Sequence, residues 1–266
     1  MHVEISKHTE TRSETILGWI FSDICGKHPK CSHQGYEYFT TFVDNKSRKV
    51  QVAGLKCKSD IAQNLKDFVA SAENETGQSV KILRSDGNGE YIGNALTEYL
   101  KGKGLRQELT TVDTPQHNGV VECMNKMLLD KVHSMLLNAD LPELYWYDAL
   151  VHTTHLHNVS PTRTLEDMMP EEALSGNKPD ISDLRVFGSK AFVHVPNSQR
   201  TKLGTKSLLC THLRHSRTSP TATPQAMGES KIFRVHSIGV KNEPASQAPM
   251  QPCVIKLWLI SLICFS

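Results

Sequence analysis

Between residues 16 and 141 the chain switches repeatedly between two hydrophobic periods, and the order of those switches limits its architecture more than any single motif does. ILGWIFSD (16–23), YEYFTTFV (36–43) and SRKVQVAGL (47–55) are rich in aromatic and β-branched residues, the pattern of three strands. At Ser59 the period changes. Ile61, Leu65, Phe68, Val69 and Ala72 recur at helical spacing, behind a serine placed to cap the first turn. VKILRS (80–85) returns to strand, ALTEYLKGKG (95–104) reads as a short helix stopped by glycine, and LRQELTTV (105–112) is a further strand. After Gly119 no proline or glycine interrupts the chain before Pro142, and Val121, Met124, Leu128, Val132 and Met135 form one apolar stripe of a long helix. Pro142 opens another helix, PELYWYDALVHTTHLHNV, closed at Ser160-Pro161. Three strands, then helix, strand, helix, strand and more helices predict an α/β class: a mixed five-stranded sheet flanked by helices.

Composition narrows the class without deciding function. A hydrophobic content of 38% and a charged content of 22% describe a globular chain, and 266 residues suffice for a substantial core. A formal charge of +2 neither announces nor excludes a nucleic-acid partner, because a local basic face can coexist with acids that a metal requires. Seven cysteines form no C-x-x-C pair, and the opening MHVEISKHTETRSETI has no apolar run of signal-peptide type, so reduced thiols and an intracellular location are expected. The apolar stretch CVIKLWLISLICFS is shorter than the roughly 20 residues a bilayer span needs, and no membrane partner is expected. SRTSPTATPQAMGES (216–230) has no hydrophobic period and reads as disordered.

Three acids fall at element boundaries. Asp23 and Asp86 end strands, and Glu122 begins the long helix with 35 residues between it and Asp86. The spacing alone is weak, since 28 acids produce about one such pair by chance. If the first and fourth strands are neighbours, Asp23 and Asp86 project into one cleft, and a helix opening behind TPQHNG aims Glu122 at it. Carboxylates so gathered repel unless a cation lies among them, and hard oxygen ligands suit Mg²⁺ or Mn²⁺. Gly87 and Gly89 around Asn88 would leave room for a bulky substrate in front of Asp86. Plainer readings stand beside this one. Glu122 is also a favourable acid for a first helical turn, and Asp44 and Glu90 suit turn and surface positions. Tyr145 and Trp146 read as core, and Cys123 as a half-buried thiol. His152, His155 and His157 share a helix but have no cysteine pair, so no zinc is expected there.

With these residues in place, the sequence resembles the integrase of copia-type long-terminal-repeat retrotransposons and, more distantly, retroviral integrases. The resemblance is carried by SDICG (22–26), GYEYFTTFVDNKSR (35–48), ILRSDGNGEY (82–91), TPQHNGVVECMNK (114–126), LPELYWYDALVHTTHLHN (141–158), SPTRTLEDMMPEEALSGNKPD (160–180) and LRVFGSKAFVHVP (184–196). It implies a ribonuclease-H-like fold and a D,D-35-E triad of Asp23, Asp86 and Glu122, acting both as catalytic residues and as ligands of Mg²⁺ or Mn²⁺. It also implies DNA 3′-end processing and strand transfer, with element ends and target DNA as partners, the nucleus as destination, and room for a homo-oligomer. Asn118, Asn125 and Lys126 are implied DNA-binding residues, the last two lying three and four residues past Glu122.

On this reading residues 1–12 are the remnant of a segment whose zinc module is missing. Residues 13–180 are the catalytic core, 181–206 a post-core segment, and 207–266 a divergent low-complexity tail of a truncated copy. Three departures stand out. The family's usual S-D-N-G-G-E-Y is here Ser85-Asp86-Gly87-Asn88-Gly89-Glu90-Tyr91, Cys123 replaces an arginine common in relatives, and Lys27 replaces a proline. They leave a second expectation beside the enzyme: a catalytically impaired, integrase-derived remnant that binds DNA or a partner.

Overall fold

The computed structural model describes residues 12–86, 91, 93–110, 119–195, 198, 200–213, 225–227 and 230–232. Strands β1 (Trp19–Cys25), β2 (Tyr38–Asp44), β3 (Val50–Leu55), β4 (Ile82–Asp86) and β5 (Arg106–Thr110) form one sheet in the order β3-β2-β1-β4-β5. β1, β2 and β3 pair antiparallel, as closely spaced consecutive strands can, whereas β1–β4 and β4–β5 are parallel. Parallel neighbours need crossovers. Helix α1 (Ile61–Thr76) supplies the one before β4, and α2 (Asn94–Lys103) the one between β4 and β5. The mixed five-stranded sheet read from the sequence is therefore present, with β1 beside β4.

Alternation along the strands divides the core in two. Ile20, Phe42 and Leu83 face α1 and α2, where Leu65, Phe68, Val69, Leu96 and Leu100 bury them. Phe21, Phe39, Val43 and Val50 face the opposite side, under α3 (Gly119–Ala139) and α4 (Trp146–Asn158), against Val121, Leu128, Val132 and Leu150. Asn158, the last residue of α4, acts as an extra rung on the sheet edge: its side chain accepts from the Val50 N–H at 2.9 Å and donates to the Val50 carbonyl at 2.7 Å. Such pairing hides edge groups that would otherwise recruit another strand.

Several boundaries differ from the sequence reading for identifiable reasons. β1 starts at Trp19 rather than at Ile16, because Leu17 takes a φ of 58° and gives its N–H to Asp44 Oδ1 at 3.0 Å. Ser59 does not cap α1; it lies in a 3₁₀ turn, Lys58–Asp60, where the Asp60 carboxylate accepts from the Lys56 and Cys57 N–H groups at 3.1 Å each. Pro142 leads into a 3₁₀ turn, Glu143–Tyr145, before α4 begins at Trp146.

A short helix α5 (Pro170–Ser175) precedes an antiparallel pair, β6 (Lys190–His194) and β7 (Ser207–Thr211). That pair is held to the core by Phe187 and Leu213, which join the α3–α4 cluster. Gly188, at φ 79°, passes so near Ala139 that an added Cβ would overlap its methyl group. Residues 207–213, grouped by sequence with the divergent tail, thus include a paired strand and buried Cys210 and Leu213. Within and just beyond the Ser/Thr/Pro-rich stretch, β8 (Gln225–Met227) and β9 (Ser230–Ile232) form a second antiparallel pair. Among the described residues no helix is long and apolar enough to cross a membrane. CVIKLWLISLICFS lies outside the described residues.

Candidate functional site

Sheet register brings the first two acids together. Ser22 of β1 pairs with Ser85 of β4 in a parallel ladder, so the next residues, Asp23 and Asp86, follow side by side. Alternation puts both on the face that Phe21 and Phe39 share, toward α3. Glu122 lies in the first turn of α3 and is exposed. The Asp23 carboxyl is pushed up to about 6, first by burial and next by the charge of Asp86, with Glu122 adding to it. The Ile24 backbone amide and the Asn125 side chain act in the opposite direction. Asp23 therefore feels both other acids. As the side chains stand, no group of three or more His, Cys, Asp and Glu residues among those described closes around a single ion.

Asn125 lies on the buried side of α3. Only 5% exposed, it accepts from Thr41 Oγ1 at 2.6 Å and donates through Nδ2 to Asp23 Oδ2 at 2.9 Å. It faces the sheet rather than open solvent, because the buried stripe of α3 runs Val121, Asn125, Leu128, Val132, Leu136. One asparagine inside that otherwise apolar i, i+4, i+7 pattern was the signal for a buried polar contact. Lys126, the next residue, is exposed, and Asn118 lies outside the described residues. Cys123 is exposed rather than half-buried.

Removing the Asn125 amide should be felt twice. Asn125→Ala leaves the Thr41 hydroxyl without its acceptor, which costs about 1–3 kcal/mol in a buried setting. It also removes a bond that lowers the Asp23 pKa, so that carboxyl should titrate above its present value of about 6. Urea unfolding and carboxyl-resolved NMR titration read the two effects separately.

On α4, His152 and His157 are buried and His155 is partly buried. His157 is pushed down to about 4 by burial first and by the Lys131 charge second, which keeps it neutral. Tyr145 and Trp146 are buried in the α3–α4 core, Trp146 against His28 and Phe39.

The chain is 44% identical over 199 residues to the Retrovirus-related Pol polyprotein from transposon TNT 1-94 of Nicotiana tabacum, an overlap of 75% of this chain and 15% of that protein. It is 31% identical over 202 residues to the corresponding polyprotein from transposon RE1 of Arabidopsis thaliana, covering 76% of this chain and 14% of the relative. The chain belongs to the copia-type retrotransposon Pol family. It spans about one seventh of the length of these curated Pol relatives. Among solved structures, a chain from the simian T-cell lymphotropic virus intasome in complex with PP2A regulatory subunit B56 gamma superposes with a TM-score of 0.52. That match has 14% identity and covers 84% of this chain and 78% of the other. The Pol segment accordingly has the ribonuclease-H-like fold of integrase catalytic cores. No protein-family model matches the chain.

Proposed function

We propose that this Pol segment is an integrase core that trims DNA 3′ ends and joins them to target DNA, using Mg²⁺ or Mn²⁺ held by Asp23, Asp86 and Glu122. The observation that carries the reading is the parallel register that sets Asp23 beside Asp86, where the charge of Asp86 helps to raise the Asp23 carboxyl. A divalent cation relieves that repulsion, and a donor set of carboxylate oxygens matches hard cations. Glu122, exposed on the first turn of α3, has the rotamer freedom to complete the set. Ions held by these residues would supply activation of a water or hydroxyl nucleophile and stabilisation of the leaving oxygen of a phosphodiester. The chain's own residues orient the reactants. Asn125 fixes one oxygen of Asp23, and Lys126 offers a positive charge to a DNA phosphate arriving beside the acids. Asn118, outside the described residues, is the remaining DNA-binding residue on this reading. DNA and further copies of the chain are its partners on this reading, in keeping with a fold neighbour that is part of an intasome, and the reaction places it in the nucleus.

A second reading has an observation of its own. The three acids do not close on one ion as they stand, which favours a catalytically impaired core that holds DNA or a partner. Incubation with pre-processed duplex ends and target DNA separates the two. Joined product in Mg²⁺ or Mn²⁺, absent with EDTA, is the expected result. DNA retained without joining in either metal would support the impaired core, and cleavage of RNA–DNA hybrids without joining would make the chain a nuclease.

A further inference from the structure

We infer that Tyr91 is a positioning residue: its hydroxyl, bonded to Ser22, fixes the spacing of the two strand ends that carry Asp23 and Asp86. What those acids then do rests on the function proposed above; the tether itself does not. Tyr91 is fully buried, with its ring in the α1–α2 core beside Leu83 and Leu96. Its Oη lies 2.7 Å from Ser22 Oγ. Ser22 is itself fully buried, immediately precedes Asp23, and pairs across the ladder with Ser85, which immediately precedes Asp86.

The contact extends on both sides. Ser22 Oγ lies 3.4 Å from Thr40 Oγ1, and Thr40 Oγ1 donates to the Asp23 carbonyl at 3.1 Å. At the other end, Gln107 Nε2 of β5 donates to the Tyr91 carbonyl at 2.9 Å. Tyr91 is thereby bonded to β1 and to β5, the two strands that flank β4. Asp86 ends β4, so Tyr91 grips its neighbours on the face opposite the one the acids occupy.

A phenylalanine would bury as much ring, so packing alone does not account for the hydroxyl. A buried hydroxyl is retained where its hydrogen bond is made, because leaving it unmade is costly. Here the bond opposes a specific force. The register sets Asp23 and Asp86 side by side on adjacent strands, and two carboxylates so placed repel and push β1 and β4 apart. A cross-strand tether directly behind them holds the separation that a shared cation requires.

The test is Tyr91→Phe, with Ser22→Ala and the double variant beside it. Two readouts are taken on the whole chain: amide hydrogen exchange at Ser85 and Asp86, and titration with Mn²⁺. Tyr91→Phe should raise exchange at those amides about five- to tenfold, the size of one net buried hydrogen bond, and weaken Mn²⁺ binding by a similar factor. Ser22→Ala should do the same, and the double variant no more than either alone. Tyr99→Phe, on the α2 surface, should leave both readouts at wild-type values. Unchanged exchange in Tyr91→Phe overturns the tether whether or not the chain joins DNA. Raised exchange with undiminished Mn²⁺ affinity overturns the positioning role. Raised exchange in a chain whose wild type binds no Mn²⁺ keeps the tether and removes the function proposed above.

Discussion

Asp23→Asn should abolish strand transfer, lowering its rate by about a thousandfold or more, and should at the same time make the chain more stable at neutral pH. The two effects have one cause. The Asp23 carboxyl ionises near 3.8 in an unfolded chain and near 6 in the fold, where burial and Asp86 disfavour its charge. Between those values the folded chain keeps a proton that the unfolded chain has released. The contribution of this group to stability is therefore greatest below the lower value, falls as pH rises, and levels off above the higher one. The full loss amounts to about 3 kcal/mol at most. An asparagine carries no charge to bury, and its amide oxygen still accepts from Asn125 Nδ2. At pH 7 the variant should recover a part of that loss.

A divalent cation does for the wild type what the substitution does for the variant. Bound beside Asp23, it favours the ionised carboxylate, so Mg²⁺ should raise the midpoint of thermal unfolding at pH 7 in the wild type and leave Asp23→Asn unmoved. Thermal scans between pH 4 and 8, with and without Mg²⁺, run beside the joining assay, measure both consequences. A variant that still joins DNA would remove Asp23 from the proposed chemistry. One that is less stable at pH 7 would show that the carboxylate was paired rather than strained.

How much of this could be read before the structure depends on the range over which each signal acts. Strand and helix periods are local, and they yielded β2, β3, α1, α2 and α3 with ends shifted by a few residues. Given β1 beside β4, the alternation rule sends Asp23 and Asp86 to one face, which only a correct strand order allows one to deduce. Asn125 was legible as the polar interruption of an apolar stripe, but Met124 and Met135 fit a helical stripe nearly as well and drew the reading one position aside. They are only partly buried. Ser59 did not become the cap of α1 because a 3₁₀ turn precedes the helix, and in it the Asp60 carboxylate reaches back to the Lys56 and Cys57 N–H groups. Other contacts have no local signature. Tyr91 meets Ser22 across 69 residues, and the short run at 207–211 becomes a strand because β6 is there to pair with it.

Asp44 shows how far a residue of modest sequence appearance can carry a fold, and Asp44→Ala should cost about 3–5 kcal/mol. It does close a turn, as its sequence position indicates, but it is only 3% exposed and is therefore no surface acid. One carboxylate oxygen accepts from the Leu17 N–H at 3.0 Å; the other accepts from the Ser47 N–H at 2.7 Å and the Ser47 hydroxyl at 2.6 Å. The side chain thus joins the turn between β2 and β3 to the left-handed residue that leads into β1. Alanine strands three donors in a place water does not reach, whereas Asp44→Asn keeps one acceptor and should lose less.

Urea unfolding measures the difference, and a loss below about 1 kcal/mol for the alanine variant would mean that water takes over the donors. The ladder also separates this defect from the site. Asp44 pairs with Ile20 and Asp23 with Thr41, so the two acids lie about 10 Å apart along the strands. Effects at that distance add. The stability gained at pH 7 by Asp23→Asn should therefore be the same on the Asp44→Ala background as on the wild type. A smaller gain there would mean that the turn and the acids share one strain, relieved by either substitution.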